Sequence, residues 1–200
     1  MSDSPVALVT GAAGGMGAAI VQRFALAGWR VCCTDIDAGG LDALAGDSIV
    51  VMDVNAKGTF FMCAAAIPVL RATRGAIVNI SSDAGRQGNL NAAAYCASKG
   101  AVTLFTKALA LELAPDDARA NVVSPADVRT PMLEFQARHY GGGDRGAYYR
   151  ALLEEYPQGA QARFIEPQEV AELVFYLCSP AAASITGADF AIDRGYSAGK

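Results

Sequence analysis

Three side chains in the middle of the chain could carry out proton chemistry on an alcohol or a carbonyl group. Tyr95 and Lys99 are four residues apart in a long helical pattern, so both lie on one face of that helix. A free phenol has a pKa near 10, and a nearby ammonium would lower it towards neutral pH. Ser82 ends an apolar run upstream of Tyr95, and its hydroxyl could hold the substrate oxygen. Ser81 is the competing candidate, since it would point to the other face of an extended strand.

A glycine-rich loop follows the first apolar run of the sequence. Gly11, Gly15 and Gly17 give the spacing T-G-x-x-x-G-x-G between a strand pattern and a helix pattern. Such a loop turns sharply, lets the backbone approach a pyrophosphate, and aims the free N–H groups of the next helix at that anion. The alternative is a tight strand–helix turn without a ligand. The loop therefore predicts a dinucleotide site only when it is considered together with the strand pattern before it and the helix pattern after it.

Two aspartates extend this prediction to the adenosine half of a dinucleotide. Asp35 ends the second apolar run, where a carboxylate can bind both ribose hydroxyls and would repel a 2′-phosphate. Residues 10–17 contain no Arg or Lys to hold such a phosphate, so the pattern favours NAD over NADP. Asp53, followed by Val54, closes the third apolar run and could bind the adenine amine. The alternatives are a solvated Asp35 and an Asp53 that caps the next helix.

Strand and helix patterns alternate along the chain, and the strands are apolar on both faces. This combination is typical of a doubly wound, Rossmann-like parallel sheet covered on both sides, here in a single α/β domain over residues 1–200. A long irregular stretch, Thr130–Ile165, is predicted to be a substrate lid. The predicted strands are Val6–Thr10, Trp29–Thr34, Ile49–Met52, Ala76–Ile80, Ala120–Val123 and Asp189–Ile192. The predicted helices are Ala18–Ala27, Leu41–Ala45, Thr59–Leu70, Ala92–Ala114 and Gln168–Cys178.

Composition excludes several classes of function. The 200 residues are 52% hydrophobic and 18% charged, with a net charge of −4, so we expect a globular protein without a nucleic-acid or membrane partner. One histidine, His139, makes a zinc site or a serine-hydrolase triad improbable, and we predict no metal. The five cysteines form no C-x-x-C pair, and the N-terminus has no basic region. These features predict reduced thiols and a cytoplasmic location.

The order of these motifs resembles the short-chain dehydrogenase/reductase family over nearly the whole chain. The matching segments are TGAAGGMG at 10–17, DVNAKG at 53–58, IVNISS at 77–82, AYCASKGAV at 94–102, NVVSPADVRTPM at 121–132, EPQEVAELVFYL at 166–177 and ITGADFAIDRG at 185–195. The resemblance implies NAD-dependent interconversion of a secondary alcohol and a ketone. It implies a catalytic set in which Tyr95 is the acid/base, Ser82 anchors the oxygen, Lys99 binds the ribose and tunes the phenol, and Asn55 positions a water. The cofactor-binding residues that it implies are Gly11, Gly15, Met16, Gly17, Asp35, Ile36, Asp53, Val54, Tyr95, Lys99, Pro125, Val128 and Thr130.

The sequence departs from the family by an omission. Family members carry a helix and a strand ending in Asn-Asn-Ala-Gly before the Asn-bearing helix, and this chain has neither, so its sheet should be one strand short. We expect the sheet to close up, so that Ala76–Ile80 pairs directly with Val6–Thr10. The alternative is an open slot with unpaired backbone.

Three functions remain open at this point. The first is an NAD(H)-dependent alcohol/ketone oxidoreductase, assembled as a homodimer or homotetramer through Thr59–Leu70 and Val102–Leu113. The second is a catalytically impaired relative that serves as a nucleotide-binding or oligomerising scaffold. The third, a methyltransferase-like nucleotide binder, gives no reason for Tyr95 and Lys99.

Overall fold

A computed structural model describes residues 4–35 and 51–199 of the chain. These residues form two compact units. The first unit contains residues 4–35, 127–175 and 193–199, and the second contains residues 51–126 and 176–192.

The first unit begins with a β–α–β element. Strands β1 (Val6–Thr10) and β2 (Arg30–Thr34) pair in parallel, and helix α1 (Gly15–Leu26) connects them. The side chain of Phe24 on α1 is buried and packs edge-on against two other rings, with centroid distances of 4.9 Å to Trp29 and 5.2 Å to Phe175. Edge-to-face packing of aromatic rings stabilises this small core beyond the burial of area alone.

The second unit is built on a three-stranded parallel sheet. Strand β4 (Arg119–Pro125) lies between β3 (Ala76–Ile80) and β5 (Asp189–Ile192). Helices α2 (Thr59–Thr73) and α3 (Ala93–Leu113) pack on this sheet through a buried cluster that includes Cys63, Leu109, Leu113 and Ala120. Six of the seven residues of the central strand, Ala120–Pro125, are buried, as expected for a strand inside a parallel sheet.

Most of the predicted elements are confirmed, and one described element is wrong. The strands at 6–10, 76–80 and 189–192 have the predicted bounds. Residues 51–52 are helical, not the end of a third strand, and they lead into a π-helical segment, Asp53–Gly58. The physical reason is that a short apolar run suits a strand or a buried helix equally well, and residues 51–52 lead directly into the helical residues that follow them. Residues 49–50 and the predicted helix Leu41–Ala45 lie outside the described residues.

Each unit has its own sheet: β1 pairs with β2 in the first unit, and β3 pairs with β4 in the second. The expected pairing of Ala76–Ile80 with Val6–Thr10 would join strands of different units and stays a prediction. The amide of Ser81 donates to the Val123 carbonyl of β4, so the Ile80 carbonyl of the same peptide unit points to the other edge of β3. There it accepts a hydrogen bond from Lys99 Nζ at 3.1 Å, so a side chain satisfies this backbone acceptor.

The predicted lid region is largely helical. Helix α4 (Pro131–Tyr140) and helix α5 (Arg145–Glu154) flank three glycines, and helix α6 (Pro167–Cys178) follows. Glu134 of α4 accepts hydrogen bonds from Tyr149, at 2.6 Å, and from Arg145. Hydrogen bonds from Tyr149, Arg145 and Arg138 lower the pKa of the Glu134 carboxyl to about 2. The two helices of the predicted lid region are thus joined by a carboxylate that stays ionised throughout the neutral range.

No helix among the described residues is both long enough and apolar enough to cross a membrane.

Candidate active site

Helix α3 carries the pair of side chains on which the sequence prediction depends. The ammonium of Lys99 lies 5.8 Å from the centre of the Tyr95 ring, which confirms that the two residues share one face. Burial of the ammonium lowers the pKa of Lys99 to about 8. The Tyr95 side chain is 37% exposed, so a ligand can reach its phenol.

The two serines after β3 face opposite ways, and this separates their roles. The Ser81 hydroxyl donates to the Lys99 carbonyl at 2.9 Å and lies 2.8 Å from the Thr103 hydroxyl, so it faces α3. The Ser82 hydroxyl donates to Asp83 Oδ1 at 2.6 Å and accepts from the Ala84 amide at 3.2 Å. Ser81 therefore joins the strand to the helix, and Ser82 is the better candidate to contact a substrate.

Asn55 lies on the π-helical segment and contacts α3 directly at Ser98, through which it is connected to the backbone of Tyr95. Its Nδ2 donates to the Ser98 hydroxyl at 3.1 Å, and the Ser98 hydroxyl donates to the Tyr95 carbonyl at 2.8 Å. Ser98 is fully buried, so this connection is shielded from water. The structure thus brings Asn55 close to the backbone of the helical turn that holds Tyr95.

Three residues around Ser82, namely Asp83, Gly85 and Asn89, were not predicted from the sequence. Asp83 is buried, and its second carboxylate oxygen accepts from Asn89 Nδ2 at 2.9 Å. A β-carbon on Gly85 would lie 2.9 Å from the backbone of Lys99, so only glycine allows this turn to approach α3. The adjacent Ser-Asp pair was visible in the sequence, whereas the contact with Asn89 depends on the path of the loop.

The glycine loop in the first unit has the geometry of a phosphate cradle. Gly11 and Gly15 have φ angles of +64° and +54°, which favour glycine. A β-carbon on Gly17 would lie 1.8 Å from the Gly11 carbonyl oxygen, so the loop can close only without a side chain there. Helix α1 begins directly at this loop, and no side chain caps its N-terminus. These residues fit a dinucleotide pyrophosphate, with Met16 on the first turn of α1.

Two further predicted cofactor residues of the first unit lie beside the loop. The Ala13 amide donates to Asp35 Oδ2 at 2.6 Å, which holds the carboxylate at the end of β2 next to the loop. A β-carbon on Gly15 would lie 3.0 Å from Thr130 Cγ2. The loop, the acidic residue and the segment predicted to cover the nicotinamide therefore converge within one unit.

The remaining predicted cofactor residues have mixed outcomes. Val128 is buried and pairs with Ile165 as an isolated bridge, and Pro125 is buried at the end of β4. Asp53 and Val54 start the π-helical segment, so their predicted place at the end of a strand is wrong. Asp53 instead pairs with Lys57 one turn on, at 3.3 Å. Ile36 lies outside the described residues.

Parallel strands with a glycine loop, and a Tyr-Lys pair beside a strand-end serine, define a class of dinucleotide-binding α/β proteins. The model of the family described as Enoyl-(Acyl carrier protein) reductase matches residues 46–197. D-threitol dehydrogenase of Mycolicibacterium smegmatis is 33% identical over 252 aligned positions, which cover 97% of this chain and 93% of that protein. The chain belongs to the short-chain dehydrogenase/reductase family.

The lengths of two relatives can be compared with this chain, which is expected to lack a helix and a strand. Because the 252 positions exceed the 200 residues of this chain, the D-threitol dehydrogenase carries residues that this chain lacks. Trans-4-hydroxycyclohexanecarboxylate dehydrogenase of Sinomonas cyclohexanicum is 37% identical over 148 residues, which cover 74% of this chain and 51% of that protein. The chain thus spans about half the length of this second relative.

Solved structures confirm the α/β, Rossmann-like fold class. Aldohexose dehydrogenase of Thermoplasma acidophilum has a TM-score of 0.85 at 29% identity, over 98% of this chain and 94% of that chain. An actinorhodin polyketide ketoreductase with NADPH has a TM-score of 0.84 at 28% identity, over 98% of each chain. A 3-ketoacyl-(acyl-carrier-protein) reductase of Brucella melitensis with NADH has a TM-score of 0.77 at 26% identity, over 96% of this chain and 98% of that chain.

Substitutions of Gly17 and Gly14 test whether the glycine loop binds the dinucleotide. Gly17→Ala should weaken NADH binding more than about tenfold, or about 1.4 kcal/mol, because its β-carbon would strike the Gly11 carbonyl. Gly14→Ala should bind almost normally, because a β-carbon there has no neighbour within 4 Å and the backbone is extended. Titration of NADH fluorescence measures both. Equal affinities in the two variants would contradict the assignment.

Proposed function

We propose that this chain is an NAD(H)-dependent oxidoreductase that interconverts a secondary alcohol and a ketone. The observation that carries the proposal is the placement of the Lys99 ammonium 5.8 Å from the Tyr95 ring, at the strand end that bears Ser82. A binding scaffold would have no need of a buried ammonium beside an accessible phenol. Perturbed groups of this kind are typical of active sites.

The proposed reaction assigns a task to each side chain. When bound, NAD would accept a hydride from the carbinol carbon at C4 of its nicotinamide ring. The Tyr95 phenolate takes the proton of the alcohol, so that the C–H and O–H bonds break as the C=O bond forms. The Lys99 ammonium stabilises the phenolate and contacts the nicotinamide ribose. Ser82 holds the substrate oxygen, and Asn55 positions a water for the relay of the proton.

The loop geometry supports NAD over NADP. The Asp35 carboxylate is anchored to the Ala13 amide beside the glycine loop, where it would bind the adenosine ribose and repel a 2′-phosphate. Asp53, Val54, Ile36, Pro125 and Val128 complete the cofactor contacts in this proposal. The chain is proposed to act in the cytoplasm, where its five cysteines stay reduced.

The names of the relatives suggest a substrate class. One relative is named for a hydroxycyclohexane carboxylate and another for the polyol D-threitol. We propose a small secondary alcohol, cyclic or polyhydroxylated, that the 130–165 region would cover as a lid.

Replacement of the phenol tests the function. Tyr95→Phe should lower kcat by about 100-fold or more while NADH binding is kept, because only the proton-transfer group is removed. The wild-type chain should bind NADH more tightly than NADPH. The assay is NADH absorbance with trans-4-hydroxycyclohexanecarboxylate, D-threitol and further secondary alcohols. Turnover that survives in Tyr95→Phe would refute the role of the phenol.

A second candidate function is a nucleotide-binding or oligomerising scaffold without turnover. It is favoured by the alignment with D-threitol dehydrogenase, whose 252 positions exceed the 200 residues of this chain, because residues missing beside a site can displace its reacting groups. A shift of about 1 Å in the reacting groups can already cost a large part of the rate. NADH binding without turnover of any alcohol would support the scaffold.

We also propose that the chain associates with itself through the outer faces of α2 and α3. A shallow apolar depression of about 260 Å³ lies there, lined by Phe60 and Phe105 among others. On the same two helices, Phe61, Leu104 and Leu111 are 58%, 70% and 78% exposed. Burying such side chains against a second copy would contribute about 1.5–3 kcal/mol each. A homodimer or homotetramer is the proposed assembly.

Charges on this face should separate the assembly. Leu104→Glu combined with Leu111→Glu should sediment as a monomer, because two carboxylates would be buried at the contact. Leu26→Glu is the matched control, since Leu26 is 79% exposed on α1 and should stay assembled. A monomeric wild-type chain in analytical ultracentrifugation would contradict the proposal.

A further inference from the structure

A buried hydroxyl group lies between the Asn55 side chain and the backbone of Tyr95. Ser98 on α3 is 0% exposed, and its hydroxyl takes part in two hydrogen bonds. It donates to the Tyr95 carbonyl at 2.8 Å and accepts from Asn55 Nδ2 at 3.1 Å. A hydroxyl has one proton, and here the Tyr95 carbonyl accepts it. Towards Asn55, Ser98 can therefore only accept, so the group that faces it must be the NH₂ of the amide.

This contact also fixes the direction of the amide oxygen of Asn55. With Nδ2 at Ser98, the Oδ1 atom points away from Ser98, because the two atoms lie on opposite sides of a planar amide. Asn55 is half-buried, and its Oδ1 has no hydrogen-bond partner among residues 4–35 and 51–199. An amide oxygen only accepts, so it would bind a water molecule through one of the O–H groups of that water. Both lone pairs of the water would then stay free.

We propose that Ser98 is a positioning residue of the proton relay, because it keeps Oδ1 of Asn55, and not Nδ2, turned towards the relay water. The proposal rests on the proposed function, in which Asn55 positions that water. During alcohol oxidation, the proton that Tyr95 has taken from the substrate must leave the site. At the water, one proton arrives on a free lone pair and another leaves to solvent, so the water is regenerated. An NH₂ group turned to the water would occupy a lone pair and slow this transfer.

The same arrangement recurs further along α3, but there both ends of the amide are bonded within the protein. Asn79 Nδ2 donates to Thr106 Oγ1 at 2.9 Å, and the fully buried Thr106 hydroxyl donates to the Val102 carbonyl at 2.7 Å. Asn79 Oδ1 accepts from the Cys63 thiol at 3.6 Å. The amide of Asn55 differs because only its NH₂ is bonded. Thr106 therefore offers a control for the loss of a buried hydroxyl that leaves no amide oxygen for a ligand.

Removal of the Ser98 hydroxyl tests the relay by steady-state kinetics, with trans-4-hydroxycyclohexanecarboxylate or D-threitol, whichever the wild type oxidises faster. Ser98→Ala should lower kcat about tenfold, as expected for the loss of one hydrogen bond, and leave the KM of the alcohol and the Kd of NADH within about twofold. Because the slowed step is the release of a proton to solvent, imidazole buffer at high concentration should restore most of the lost rate by accepting that proton. A kcat within about twofold of the wild type, or a loss that imidazole does not restore, would overturn the proposal.

A matched control separates this effect from general damage to α3. Thr106→Val removes a buried hydroxyl that also accepts from an asparagine amide and donates to a helix carbonyl. Both variants should therefore lower the urea midpoint, since each leaves a buried NH₂ without its acceptor. Thr106→Val should keep kcat within about twofold of the wild type and show no response to imidazole. A fall in kcat as large as that of Ser98→Ala would show a structural effect and overturn the role of Ser98.

A double-mutant cycle distinguishes action through Asn55 from action through the Tyr95 backbone. In an Asn55→Ala background, Ser98→Ala should lower kcat no further, because no amide is left to orient. A further tenfold fall would assign Ser98 to the Tyr95 carbonyl and overturn the proposal. A wild type that binds NADH but oxidises no alcohol would refute the proposed function and the relay with it. Wild-type turnover with an unaffected Ser98→Ala variant would refute the role of Ser98 alone.

Discussion

The hydrogen bond from Lys99 Nζ to the Ile80 carbonyl is the contact on which the active site depends. It joins helix α3 to the end of strand β3, so Tyr95 and Ser82 are held by the same junction. It also lies at the edge of β3 that faces away from β4, where the Ile80 carbonyl has no strand partner among the described residues of its unit. A side chain of the candidate active site therefore satisfies this backbone acceptor.

This contact has a chemical consequence. An ammonium that is buried against a carbonyl keeps its charge less readily, and burial brings the pKa of Lys99 to about 8. The group is therefore charged at neutral pH but is close to its titration point. A cofactor ribose would have to share the ammonium with Ile80, so cofactor affinity and the integrity of the sheet edge are coupled in one side chain.

The site could be predicted from the sequence where its residues are close along the chain. The four-residue spacing of Tyr95 and Lys99 fixes their shared face, and the closely spaced Gly11, Gly15 and Gly17 indicate the loop. Alternation along a strand separates Ser81 from Ser82, but only the packing of α3 shows which one faces the helix. Contacts that depend on the loop path, such as that of Asn89 with Asp83, leave no periodic signal.

The wrong prediction at residues 51–52 has a physical origin. The run before Asp53 is apolar enough for a strand or a buried helix, and short apolar runs do not distinguish the two. In the structure these two residues are helical and lead directly into the π-helical segment Asp53–Gly58.

The pH dependence of cofactor binding tests this account most directly. NADH affinity of the wild-type chain should fall as the pH rises through about 8, because the Lys99 ammonium, which we propose contacts the dinucleotide, loses its charge. In Lys99→Met the affinity should be weaker at neutral pH and nearly independent of pH from about 7 to about 9. A wild-type affinity that stays constant over this range, or a Lys99→Met variant with the same profile as the wild type, would contradict the central place given to this ammonium.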